Sequence, residues 1–300
     1  MQLLVYLLVY PILWIISRLP FTILYILSDA LYYLLFHVIG YRKKVVHANL
    51  QLAFPEKDGK DIMRIQKAFY SHMCDVFLEI IKTMGMTAKQ MEERFEMHNH
   101  DIINQMAAQQ RSTVLFAGHY ASWEWLLALN VRLNPKAYAI YQKIENPYFD
   151  KLVQRIRGTF GTTLLRTYES RQRIADLVEN GQTFVLGLAS DQSPMLSKAK
   201  HWMEFMGVRV PIHVGAEKMC KEHDLVPIFL KVEKKKRGYY KATFEIITEE
   251  PKNIPDFGIS EHFMKSLEQV IRKKPEYYFW THKRWKHAGK EPQTAVTKTD

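Results

Sequence analysis

The 300 residues carry 42 Lys+Arg against 31 Asp+Glu, a formal net charge of +11, and 47% of them are apolar. That length suffices for the core of one large domain or two modest ones, and the charge predicts an anionic partner, either nucleic acid or an anionic lipid surface. Two cysteines, Cys74 and Cys220, with no CxxC exclude a disulfide framework and a cysteine-based zinc site.

The amino terminus separates the two kinds of partner. MQLLVYLLVYPILWIIS (residues 1–17) has no charge, Phe21–Gly40 has one acid, Asp29, and the basic run Arg42-Lys43-Lys44 follows. A nucleic-acid binder has no use for such a start, so membrane is the expected partner and nucleic acid is not. A spanning helix needs about 20 apolar residues. The first stretch is slightly short and holds Pro11; the second holds Asp29 and His37. One spanning helix and a helical hairpin in the interface both remain open. Either would put the basic run on the cytoplasmic side. The expected organisation is a membrane-associated segment over 1–44, one domain over 45–290, and a polar, disordered tail over 291–300.

Residues 58–84 have apolar positions at three- and four-residue spacing and predict a long amphipathic helix. Downstream, short apolar runs predict strands over 113–117, 137–141, 162–165, 183–188, 225–232 and 240–247. Helical stretches at 122–132, 147–157, 169–179, 213–222 and 259–273 lie between or after them. Such alternation predicts an α/β fold with a mixed, largely parallel sheet flanked by helices. Gly238-Tyr239, after the basic run 234–237, predicts a hairpin that makes the later strands antiparallel.

Chemistry-bearing residues fall at the ends of these strands. In TVLFAGHYASWEW (113–125) an apolar run stops at His119, and Glu124 follows five positions later. Five residues on one helix would put the pair about 140° apart. A strand ending near His119 and a helix starting at Ser122 would instead place both at the carboxyl edge of the sheet, where open α/β sheets form their sites. There Glu124 could accept from one imidazole nitrogen and leave the other as a base. The alternative is a histidine that ends a strand and a glutamate that complements a helix dipole.

Three further stretches accompany the pair. RIRGTFGTTLLR groups Arg155, Arg157 and Arg166 around two glycines, and a guanidinium at a strand end can hold phosphate with a two-donor fork. LGLASDQSP places Asp191 and Gln192 at another strand end; an Asp before Ser-Pro also suits a plain turn. RKKPEYYFWTHKRWK mixes bases with Tyr277, Tyr278, Phe279, Trp280 and Trp285, a composition that stacks nucleobases or rests at a lipid headgroup boundary. The apolar amino terminus favours the lipid reading. There is no GxSxG, HExxH, Walker loop or GxGxxG, so a base without a protein nucleophile suggests direct transfer to a substrate hydroxyl.

In order, VVHANLQLAFPE (45–56), HYASWE (119–124), FGTTLLR (160–166), SDQSP, FMG (205–207), LVPIFL (225–230) and PEYYFWTHKRWK resemble the bacterial lipid A late acyltransferases of the lysophospholipid acyltransferase superfamily. The resemblance runs nearly the whole chain, to about residue 288. It departs at Ala121 and Ser122, where many members have Gly and Asn.

It implies a glycerolphosphate-acyltransferase-like fold and transfer of a fatty acyl group from an acyl-carrier-protein thioester to a hydroxyl of a phosphorylated glycolipid. His119 would be the general base and Glu124 its orienting partner. Arg166, with Arg157 second, would hold an acceptor phosphate, and Asp191 and Gln192 would line the acceptor pocket. A thiolate leaves readily, so neither metal nor cofactor is implied. Two other readings stand beside this one: the same chemistry on a lysophospholipid or amino-acid-linked lipid, and a non-catalytic membrane protein that binds anionic lipid.

Overall fold

The computed structural model describes residues 2–292. Its amino-terminal arm is helical: α1 (Gln2–Arg18), then α2 (Phe21–Tyr33), which runs on through a π turn, Leu34–Ile39. The Phe21–Ile39 stretch, 19 residues at a mean hydropathy of 1.6, is long and apolar enough by length and composition to cross a membrane. After α3 (Lys43–Ala53) comes α4 (Gly59–Lys82), whose Asp58 caps it by accepting from the Asp61 N–H. α4 buries one apolar face, including Ile62, Phe69, Tyr70, Met73 and Val76, as the sequence periodicity predicts.

The arm is packed on α4. Tyr25 donates to Glu79 at 2.9 Å and Ser28 to Asp75 at 2.8 Å, while Phe36 meets Tyr70 edge-on at 5.2 Å between ring centroids. Leu24 and Phe36 are buried against the domain. The arm therefore shares side chains with the core.

The rest is an α/β layer structure. Its elements in chain order are α5 (Ala88–Arg94), β1 (Phe95–His98), α6 (Asp101–Ala108), β2 (Thr113–Ala117), β3 (Lys136–Tyr141) and α7 (Pro147–Arg157). There follow β4 (Thr163–Arg166), α8 (Ser170–Glu179), β5 (Phe184–Ala189), β6 (His201–Phe205), β7 (Val208–Ile212), α9 (Gly215–His223), β8 (Val226–Lys236), β9 (Tyr239–Ile246) and α10 (Gly258–Lys273). The seven-stranded sheet has the order β1-β9-β8-β2-β5-β3-β4. All its pairs are parallel except β8–β9, which form the hairpin expected at Gly238. Fold class and all six expected strands agree with the sequence. The strands β1, β6 and β7 were not expected from it.

Two expectations need correction. Residues 122–132 were expected to form an ordinary helix; Trp123–Val131 is wound as a 3-10 helix, with the Trp125 N–H on the Ser122 carbonyl at 3.2 Å. The aromatic closing segment is not an open platform: three of its five aromatics are buried, and Tyr277 and Phe279 are half-buried. Tyr278, Trp280 and Trp285 are 3%, 0% and 5% exposed, so they belong to the core. Of the tail expected from residue 291, the part beyond 292 lies outside the described residues.

Topology places the site. The chain leaves β2, skips a position to make β3, and later inserts β5 between them. The carboxyl ends of β2 and β5 thus lie side by side where the strand order reverses, the position at which parallel sheets open a crevice.

Candidate active site

β2 and β5 are in register: Ala117 pairs with Ala189, so His119 and Asp191 each stand two residues beyond one matched pair. The register brings their side chains together. His119 Nδ1 lies 2.7 Å from Asp191 Oδ1, and the His119 backbone N–H donates to Asp191 Oδ2 at 3.0 Å. Held at two points, the carboxylate fixes both the ring and the turn that carries it. With Nδ1–H given to Asp191, Nε2 is the free basic nitrogen; the Gln192 side-chain amide nitrogen sits 3.3 Å from it.

The electrostatics follow from this pairing. Burial pushes the His119 pKa down, but the charge and hydrogen bond of Asp191, with Glu124 behind them, outweigh it and leave the imidazole above its ordinary range. Burial likewise pushes Asp191 up, and the imidazole with its hydrogen bonds outweighs that and holds the carboxyl below its usual range. Asp191 is 1% exposed, whereas the His119 side chain keeps 21% of its surface and opens on the cleft.

Glu124 is placed otherwise than expected. Both of its oxygens are taken by Arg157, whose Nε donates at 2.9 Å and Nη2 at 2.6 Å, a fork-to-fork pair. The carboxylate in contact with the imidazole is therefore Asp191, not Glu124. Glu124 stands in the first turn of the 3-10 helix, close enough to act on the charge of His119 without bonding its ring.

The closing segment clamps the turn. The Ala121 N–H donates to the Tyr277 carbonyl at 2.9 Å, and the Phe279 N–H to the His119 carbonyl at 3.0 Å. Phe279 lies near-parallel to the imidazole, with centroids 6.2 Å apart, and Trp123 flanks it at 5.6 Å. Ala121 has a φ of 50°, a left-handed conformation that favours glycine, and this is one of the two positions where the family resemblance departs.

Arg166 is not at this centre. It ends β4 on the sheet edge, three strand spacings or about 14 Å across from β2. Its side chain is 36% exposed and is bonded to Tyr168 and Glu169.

A cleft of about 790 Å³ opens from His119, Trp123, Glu124 and Arg157. Its walls include Leu126, Ile140, Ile144, Val153 and Leu164, and its floor is the sheet face of Ala117, Ala139, Gly187 and Ala189. Small side chains on adjacent strands leave this volume empty, and the large apolar ones around it suit a hydrocarbon chain. Arg171, Lys218 and Glu222 also line it. Among the described residues no group of His, Cys, Asp and Glu is arranged to hold a metal ion.

A family model described as bacterial lipid A biosynthesis acyltransferase matches residues 1–287. The chain belongs to this family. It is an acyltransferase. The Escherichia coli (strain K12) lipid A biosynthesis lauroyltransferase is 22% identical to it over 282 residues, covering 92% of this chain and 89% of the relative.

Of the residues expected from the sequence, His119, Asp191 and Gln192 meet at one point, Glu124 and Arg157 pair beside it, and Arg166 stands apart. What the sequence reading missed is the bond between His119 and Asp191. A signal was present: FAGH and LASD each end an apolar run with Ala, one small residue, and then the polar group.

Proposed function

We propose that the protein transfers a fatty acyl group from an acyl-carrier-protein thioester to a hydroxyl of a phosphorylated lipid A precursor, at the cytoplasmic side of the bacterial inner membrane. The observation that carries this reading is the His119–Asp191 contact of 2.7 Å at the head of the apolar cleft.

The reaction needs one proton relay. The acceptor hydroxyl replaces the Gln192 amide at His119 Nε2 and gives up its proton there while its oxygen attacks the thioester carbonyl carbon. Asp191, already bonded to Nδ1–H, stabilises the imidazolium as it forms and keeps the tautomer that leaves Nε2 free. The tetrahedral intermediate then collapses with loss of the carbon–sulfur bond. The thiolate leaves and takes up the proton that His119 holds, so the cycle closes without an acyl-enzyme.

Glu124 adds negative field near the imidazolium and holds Arg157 in place with both oxygens. Arg157 thereby presents a fixed cation in the cleft beside the reacting atoms, where negative charge develops on the thioester oxygen. Acceptor phosphates are assigned to the more distant cations: Arg171 and Lys218 in the cleft lining, with Arg166 on the neighbouring edge. The excess of basic residues favours both an acidic carrier protein and a phosphorylated lipid.

The arm supports membrane association. Leu4, Leu8, Ile12, Ile15, Ile26 and Val38 are each more than half exposed, a concentration of apolar surface that water does not tolerate without a partner.

The test is purified protein in detergent with an acyl-carrier-protein thioester and a lipid A precursor, followed by thiol release and product mass. Thiol release coupled to one added acyl chain is expected. Acylation of a phospholipid in preference to the precursor would reject the acceptor, and no thioester consumption would reject the reaction.

A further inference from the structure

Arg284, in the closing segment, is the most buried cation among the described residues, at 1% exposure. Lys82, buried almost as deeply, donates to the Ser17 carbonyl at 2.9 Å. Arg284 has no such outlet: none of its three guanidinium nitrogens has a hydrogen-bond partner among the described residues. Its Cζ lies over the Phe205 ring, 5.3 Å from the centroid, a contact that accepts charge but satisfies no N–H. A buried cation without an ion pair is strongly disfavoured, so its position calls for a reason.

The surrounding contacts supply one. The closing segment is held rigidly here, since Asn49 donates to the Trp280 and His282 carbonyls at 2.8 Å and the Arg284 N–H bonds the His282 carbonyl at 2.9 Å. The Ser193 N–H donates to His282 Nε2 at 3.2 Å, which ties the same segment to the loop that carries Asp191. The titratable groups that feel Arg284 are Tyr278, His282 and His287 of its own segment, His213 after β7, and Asp191 after β5. Burial pushes the guanidinium down, and Tyr278 and Asp191 oppose it. Asp191 also acts on the Tyr278 hydroxyl, through its charge and a hydrogen bond. Burial keeps Tyr278 protonated, and His282 and His213 are held below the ordinary imidazole range, His282 at about 4. Asp191 is therefore the one carboxylate whose charge answers Arg284.

The reaction gives this pairing a use. To accept a proton, His119 must first be neutral while Asp191 stays ionised. In that state the carboxylate loses its imidazolium partner, and a desolvated carboxylate alone draws a proton back to itself or to the ring. A permanent cation that shares its surroundings removes this tendency.

We propose that Arg284 is a positioning residue for acyl transfer, whose fixed charge keeps Asp191 ionised while His119 stands neutral and ready to take the acceptor's proton. The inference rests on the reading of His119 as the base. Arg284 is not part of the cleft wall, so it acts through Asp191 and not on the substrates.

The test is the full chain in detergent, with thiol release from an acyl-carrier-protein thioester and a lipid A precursor followed between about pH 5 and 9. A nearby cation disfavours imidazolium, so its loss lets the ring hold its proton to higher pH. Arg284→Met should move the acid limb upward by about half a pH unit or more, with KM for the thioester unchanged. Arg284→Lys keeps the charge and should recover at least half of that shift. The melting temperature of Arg284→Met should hold or rise, because an unpaired buried charge has given way to an apolar chain.

A limb left in place by Arg284→Met, or moved equally by Arg284→Lys, overturns the proposal. Arg284→Gln, neutral but still a donor, should repeat the upward shift; if neither neutral variant folds, the residue is structural and the proposal fails. Absence of thiol release by the wild-type chain rejects the acyltransferase reading itself, and this inference with it.

Discussion

Replacing Asp191 by Asn tests the site at its most distinctive contact. The substitution keeps the shape and one hydrogen-bonding oxygen, and removes the charge that faces Nδ1 at 2.7 Å. It has two consequences. The imidazolium formed in the transition state loses its buried counter-charge, and the ring can turn its other tautomer to the amide; together these should lower the plateau rate about 10²–10⁴-fold. The pH dependence also has a definite sign. With Asp191 present, its charge and hydrogen bond outweigh burial and hold His119 above the ordinary imidazole range; without them, burial and the Arg157 charge are opposed only by Glu124, and the pKa falls. The acid limb of the rate profile should therefore move to lower pH while the plateau falls. The assay is thiol release from an acyl thioester between about pH 5 and 9, with the acceptor saturating, so that the limb reports the base. Glu124→Gln is the control: it frees Arg157 and lowers the rate, but it should move the limb less, since Glu124 does not bond the ring. A limb moved by Glu124→Gln and left in place by Asp191→Asn would refute the assignment of Asp191 as the orienting carboxylate.

Four further outcomes are expected. Arg157→Lys should lose about tenfold or more in rate, because an ammonium cannot engage both Glu124 oxygens; equal rates would make the fork irrelevant. A side chain at Gly187 would extend into the cleft, its Cβ 3.7 Å from the Tyr138 carbonyl oxygen and clear of other atoms. Gly187→Val should therefore fold normally and shift donor preference toward shorter chains by roughly tenfold, read from competing thioesters. Burial pushes the Glu79 carboxyl up to about 7, so the folded state binds its proton more tightly than the unfolded chain does. Its share of stability, about 3 kcal/mol, is present below pH ~4.5 and is lost as pH rises to ~7; Glu79→Gln should flatten that part of the melting-temperature profile. Deleting residues 1–40 should cost stability as well as membrane binding, since it strips Leu24 and Phe36 from the core and takes the Ser28 and Tyr25 hydroxyls from Asp75 and Glu79; an unchanged Tm would contradict this packing.

Much of the fold was legible because its strands are continuous apolar runs bounded by turns, the signature of a sheet buried on both faces. The strands that escaped lacked this signature. β1 is a four-residue edge strand, Phe95–His98. β6 and β7 form a small separate hairpin whose only marker is Met206-Gly207, with φ of 55° and 77°. At the site the residue types were legible and the partnerships were not. His119 and Glu124 are near each other in sequence, and proximity suggested a pair. The pair that forms depends on β5 sliding between β2 and β3, a long-range choice that local spacing does not record. Arg166 was ranked ahead of Arg157 because it ends a strand, and only strand order shows that this strand is the sheet edge while Arg157 lines the cleft. The aromatic tail was misread for a related reason: composition cannot tell a buried clamp from an exposed platform.

The account rests on acyl transfer to lipid A by the His119–Asp191 couple, and lipid A itself reports it. Mass spectrometry should be run on lipid A and total phospholipids from cells lacking the protein, and from the same cells carrying either the wild-type chain or Asp191→Asn. Loss of one acyl chain from lipid A, restored by the wild-type chain and not by the variant, with phospholipids unchanged throughout, is the predicted result. An intact lipid A profile, with an acyl chain missing from some other lipid, would contradict it.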